Sequence, residues 1–102
     1  MSRLIEENRD DLIRLCAKYR VRRLEIFGSA LTNRFDPRTS DLDFLVEFLP
    51  LQPGEYADAY FGLLEALREL FQRNVDLVMT RAIKNRYFLE SINRRRTVLY
   101  AA

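Results

Sequence analysis

A chain of 102 residues, 48 % apolar and 31 % charged, has the composition of one small globular domain, which argues against disorder and against a fibrous fold. It has no His and a single Cys, Cys16, which excludes Ser-His-Asp and Cys-His catalysis, His-ligated zinc, an internal disulfide and a thiolate metal cluster. Seventeen basic and fifteen acidic residues leave a net charge of +2, which permits contact with an anion without demanding nucleic acid. Acid–base or metal chemistry must then run on carboxylates, Lys, Arg, Tyr or Ser, and carboxylates bind hard cations such as Mg²⁺ best.

In chain order, Ile5, Leu12, Cys16 and Tyr19 recur at near-helical spacing with Leu15 beside them, which predicts one helix over 3–19. Ser2 is a candidate N-cap, and the drift from acidic to basic residues suits the helix dipole. Residues 22–28 alternate like a strand, with Leu24 and Ile26 on one face, Glu25 and Phe27 on the other, and Gly28 at the end. Residues 29–40 hold Thr32, Asn33, Asp36, Pro37, Thr39 and Ser40 and read as a loop, with a short helical turn just after Ser29. Residues 41–48 are the clearest strand: Leu42, Phe44, Val46 and Phe48 share one face, and Asp41, Asp43, Leu45 and Glu47 the other. Pro50, Pro53 and Gly54 mark a connection to a second helix over 55–72, striped by Tyr56, Tyr60, Leu63, Leu64, Leu67, Leu70 and Phe71. A third strand is expected over 75–79, a short helix around 86–95 and a closing strand over 97–100. The order αβαβαβαβ points to an α/β or α+β sheet with helices packed on it. The longest apolar runs fall far short of the ~20 residues that span a bilayer. The start, Met-Ser-Arg-Leu-Ile-Glu-Glu, has no apolar stretch before a small-residue cleavage site, so a cytoplasmic protein is expected.

Three features call for more than folding. Gly28-Ser29 ends a strand, where Gly admits a close ligand and a following helical turn would aim N–H groups at an anion; a plain turn pair is the alternative. Asp41 and Asp43, two apart on a strand, point to one face with Cα atoms ~6.5–7 Å apart and can converge on a cation. Their alternative is a strand cap at Asp41 and a solvated Asp43. Asp76 is a charge inside the apolar run Val75-Asp76-Leu77-Val78, where pairing, metal binding or an exposed edge would explain it. Taken together, an anion-binding turn and three carboxylates on neighbouring strands suggest a nucleoside triphosphate held through Mg²⁺, with two ions clamping the attacking and leaving oxygens of a phosphoryl or nucleotidyl transfer.

The stretch Phe27-Gly28-Ser29 … Ser40-Asp41-Leu42-Asp43-Phe44-Leu45-Val46 resembles the signature of the minimal nucleotidyltransferases (MNT) of the DNA polymerase β-like superfamily. The likeness extends over nearly the whole chain, through Val75-Asp76-Leu77-Val78 to Val98-Leu99-Tyr100-Ala101-Ala102, and implies a single domain over 1–102. It implies a small mixed sheet with helices on one side. It also implies that Asp41 and Asp43 bind Mg²⁺, that Asp76 assists a second ion and takes the acceptor's proton, and that Gly28 and Ser29 hold the triphosphate of ATP. By the same analogy the chain is expected to be the antitoxin of a HEPN-domain RNase toxin and to transfer AMP to a tyrosine of that partner. The interval from Ser29 to Asp41, Ala30 through Ser40, is one residue longer than the family's usual spacing, and Asp36-Pro37 is a turn that can absorb it. The family's Ala-Arg-Gly after the Ser is absent, which leaves Arg34 and Arg38 as phosphate-contact candidates against a solvated-loop reading of each.

The remaining features read as structural. Arg94-Arg95-Arg96, with Lys84 and Arg86, suits a helix C-terminus, with a partner or RNA contact as the alternative. Tyr56, Tyr60 and Phe61 belong to or adjoin the core stripe, Cys16 is a small buried hydrophobe, and Arg22-Arg23 is solvated. The competing function is a binding module that neutralises a partner by contact alone; three crowded carboxylates weigh against it, because they are a liability without a metal. Direct nucleic-acid binding fits the charge only weakly.

Overall fold

The computed structural model describes residues 3–27, 42–79 and 97–102. Helices α1 (Arg3–Glu7) and α2 (Arg9–Lys18) lead into strand β1 (Val21–Phe27); β2 (Leu42–Phe48), helix α3 (Glu55–Phe71), β3 (Val75–Met79) and β4 (Thr97–Ala101) follow. The helical turn after Ser29 and the helix around 86–95 lie outside the described residues.

The predicted helix over 3–19 is two helices, because Asn8 interrupts it. Its side-chain amide donates to the Leu4 carbonyl at 2.9 Å, and its backbone adopts φ −110°, ψ 13°. Asn competes for backbone groups in this way, which is why it is a weak interior helix former. Arg20 takes a left-handed φ of 58° and turns the chain from α2 into β1, while its guanidinium reaches Glu55 Oε2 at 3.0 Å.

The sheet order is β3-β2-β1-β4, with β1 antiparallel to β2 and β4, and β2 parallel to β3 through the α3 crossover. This is the small mixed sheet with helices packed on it. Leu24 and Ile26 of β1, Leu42, Phe44, Val46 and Phe48 of β2, Val75 and Leu77 of β3 and Leu99 of β4 join Ile5, Leu12, Cys16, Leu63, Leu67 and Phe71 in one core. At ~1.5–3 kcal/mol for each large apolar side chain fully buried, this core is the main stabilising term. Phe44 and Phe71 stack with ring centroids 5.8 Å apart, which seats the last turn of α3 on β2. Gly62 lets α2 approach α3: a Cβ there would lie 2.5 Å from Tyr19 Cε1. The stripe expected on the second helix is present, while Phe61, expected to be a core residue beside it, is instead 61 % exposed.

Candidate active site

β2 and β3 begin side by side. In their parallel register Leu42 faces Val75 and Asp43 faces Asp76; on its other flank Asp43 faces Phe27 at the end of β1. Side chains alternate along a strand, so with Leu42, Phe44, Val75 and Leu77 turned into the helix-covered core, Asp43 and Asp76 share the opposite face. Neighbouring strands run ~4.8 Å apart, close enough for one cation to meet a carboxylate from each. Asp43 is half-buried and Asp76 is exposed on the outer strand of the described sheet. Of the readings of Asp76, the exposed edge describes its place on the outer strand of the described sheet, where it adjoins a second carboxylate. Like charges directly opposite on paired strands destabilise a sheet, and a divalent cation between them removes that cost.

The pair opens into a cleft of about 420 Å³. Phe27 walls it from β1, and Tyr60, Leu64 and Arg68 wall it from α3 at positions i, i+4 and i+8 of one helix face. The Tyr60 hydroxyl donates to the Leu77 carbonyl at 2.6 Å, which fixes the ring against β3. Arg68 lies 3.4 Å from Glu65 Oε1, an exposed contact too long and too solvated to hold the guanidinium firmly. The cleft thus combines two carboxylates with a cation that can swing toward an anion. Sequence reasoning missed Tyr60 and Arg68 as cleft residues; the signal was their shared face with Leu64, but only the position of β3 shows what that face adjoins.

Asp41, Gly28 and Ser29 lie outside the described residues, as do Arg34, Arg38 and the Arg94-Arg95-Arg96 cluster. Among the described residues no group of three or more His, Cys, Asp or Glu side chains converges. The two described members of the predicted carboxylate triad adjoin one another. Farther along β1, Glu25 is 3 % exposed, and its Oε1 accepts from Arg23 Nε at 2.6 Å. Arg22 and Arg23 are both exposed, as their solvated reading expects, and Arg23 also holds the buried Glu25 carboxylate. Cys16 is buried as expected, and desolvation pushes its thiol up to about 12. No helix among the described residues is long and apolar enough to cross a membrane.

A crossover-linked mixed sheet carrying paired carboxylates at the starts of adjacent strands is a scaffold suited to metal-assisted transfer chemistry. Residues 12–100 match the nucleotidyltransferase domain family, and the chain belongs to it. A Methanocaldococcus jannaschii protein with the provisional name protein adenylyltransferase is 41 % identical over 75 residues, which are 74 % of this chain and 72 % of that protein. A structure provisionally described as a minimal nucleotidyltransferase is 28 % identical, with a TM-score of 0.72 over 91 % of this chain and 90 % of that one. A chain from the complex of a tri-AMPylated Shewanella oneidensis HEPN toxin with its MNT antitoxin is 18 % identical, with a TM-score of 0.65 over 95 % of this chain and 72 % of that one; this likeness is one of fold.

Proposed function

We propose that this chain is a Mg²⁺-dependent protein adenylyltransferase that moves AMP from ATP to a tyrosine hydroxyl of a HEPN-domain partner and so serves as the antitoxin of that pair. The observation that carries the reading is the register match of Asp43 with Asp76 in a chain of the nucleotidyltransferase domain family. The provisional name of the Methanocaldococcus jannaschii relative supports a protein acceptor, and the AMPylated toxin of the Shewanella oneidensis complex supports a HEPN partner as that acceptor.

The donor set suits Mg²⁺: carboxylate oxygens are hard ligands, and the chain has no His to attract a softer metal. We assign Asp41, Asp43 and Asp76 to hold it, and Gly28 and Ser29 to hold the triphosphate. Bound there, Mg²⁺ supplies neutralisation of the charge on the nucleotide's phosphates. Asp43, on the inner strand, takes the nucleotide side. Asp76, on the outer strand, takes the acceptor side and accepts the hydroxyl proton. The acceptor oxygen then forms a bond to the α-phosphorus; the bond from that phosphorus to the oxygen bridging the β-phosphate breaks, and pyrophosphate leaves with the electron pair.

Intact-mass measurement of a co-expressed HEPN-domain protein, after incubation with this chain, ATP and Mg²⁺, tests the reading. Gain of one or more AMP units by the partner, with release of pyrophosphate, is expected. A partner left unmodified under those conditions contradicts it.

A further inference from the structure

A second groove, of about 380 Å³, runs along the outer edge of β3 and is walled by Tyr56, Ala57, Tyr60, Leu77, Val78 and Met79. It shares Tyr60, Leu77 and Val78 with the carboxylate cleft, so the two form one trough with the acidic pair at one end. The tyrosine hydroxyls in its walls are already engaged. Tyr60 donates to the Leu77 carbonyl at 2.6 Å, and the Tyr56 hydroxyl accepts from the Leu51 N–H at 3.2 Å. The lining is almost wholly apolar, so the ring nitrogens and amine of a nucleobase seated there would find few partners besides these two hydroxyls. An aliphatic or aromatic side chain would bury only apolar surface. Phe61 extends the apolar surface beyond Tyr60, with ring centroids 5.1 Å apart and edge-to-face, and it is the most exposed large hydrophobic residue among those described. Aromatic and aliphatic surface with one Met beside the carboxylate pair is the composition of a protein contact.

We infer that this groove docks the acceptor protein: an apolar side chain neighbouring the acceptor hydroxyl in the partner's chain seats between α3 and β3 while the hydroxyl reaches Asp76. The inference rests on the proposed transfer of AMP to a protein. Val78 lies two residues beyond Asp76 on the same face of β3, ~6.7 Å along the strand, a span that two residues of extended peptide cover. The groove lies on the outer side of β3, away from Asp43, and so on the acceptor side of the pair rather than the nucleotide side.

Ala57 is exposed on α3, and Ala57→Glu puts a charge into the groove without touching any residue assigned to the transfer step. The probe is the HEPN-domain protein modified in the transfer assay, titrated at fixed Mg-ATP. The expected result is a KM for the acceptor raised ~10-fold or more, the scale of an unpaired charge pressed against apolar surface, with Mg-ATP affinity by calorimetry held within ~2-fold. Ala57→Ser should retain the wild-type KM, and Ile13→Glu, an exposed site on α2, should change neither quantity. Should Ala57→Glu lower the melting temperature, Met79→Lys at the far end of the groove is read in the same way. An unchanged acceptor KM in the folded variants overturns the inference even where the wild type transfers AMP. A fall in Mg-ATP affinity with an unchanged acceptor KM gives the groove to the nucleobase and overturns it too. No transfer by the wild type overturns the proposed function, and the groove assignment with it.

Discussion

Asp76 sits exposed on the outer strand and Asp43 half-buried on the inner one, and that difference separates their expected roles. Asp76→Asn keeps the shape and removes the base. Single-turnover AMP transfer should fall ~10²-fold or more, the scale of a positioned proton acceptor, while Mg-ATP affinity stays within a few-fold. The melting temperature of the metal-free variant should not drop, since one of two facing like charges is gone. A collapse of ATP affinity in step with the rate would move Asp76 to the nucleotide side. Cys16 makes a separate prediction. Burial raises its thiol from an ordinary 9.0 to about 12, so the folded chain keeps the proton longer than the unfolded one. Below pH 9 the thiol is neutral in both states and contributes no pH dependence. Between pH 9 and 12 the unfolded chain ionises first, and stability falls as pH rises. Urea melts of wild type and Cys16→Ala, followed across that range, should show the wild type losing more of its stability.

At the level of elements, the close approach of α2 to α3 at Gly62 is the most exacting contact. Gly62→Ala gains ~1 kcal/mol of helix propensity but drives a methyl into the Tyr19 ring, an overpacking cost of ~1–3 kcal/mol, so net destabilisation is expected. In a Tyr19→Ala background the ring is absent, and the same change should turn stabilising; a double-mutant cycle without that change of sign would refute the contact. Local patterns made the strands legible. Alternation over 41–48 and the short apolar run over 75–79 mark the strands described as β2 (Leu42–Phe48) and β3 (Val75–Met79), because a two-residue period or a short apolar run leaves little room for a helix. Asn8 was not legible as a break, since the apolar spacing continues across it. Glu25 reads as an outward charge in an alternating strand, and its burial depends on what packs over that face rather than on its neighbours in sequence. Gly62 carries no local sign of Tyr19, which lies far away in the chain. Within the candidate site, the convergence of Asp43 and Asp76 was legible as two acidic positions on strands expected to adjoin. Their register, and the trough formed with Tyr60 and Arg68, depend on tertiary placement that no local pattern encodes.

For the whole molecule, the sheet order puts the acidic pair at one end of the described sheet, on the face opposite the helix-packed core. The net charge of +2 does not describe that face, where the triphosphate of the proposed reaction would meet carboxylates of its own sign. ATP binding should therefore need a divalent cation. Calorimetry with Mg²⁺ and again with excess EDTA should show affinity falling at least ~10-fold on chelation, the minimum for a bridging ion between like charges. Equal affinity in both would remove the metal from the account. The most direct test of the central claim, that the Asp43–Asp76 pair carries nucleotidyl transfer to a protein, uses ATP labelled at the α-phosphate with a HEPN-domain partner. Wild type and Asp43→Asn are run side by side under single-turnover conditions. Label on the partner is expected with the wild type, and a loss of ~10²-fold or more in rate with Asp43→Asn. Label transferred equally well by both chains would contradict it.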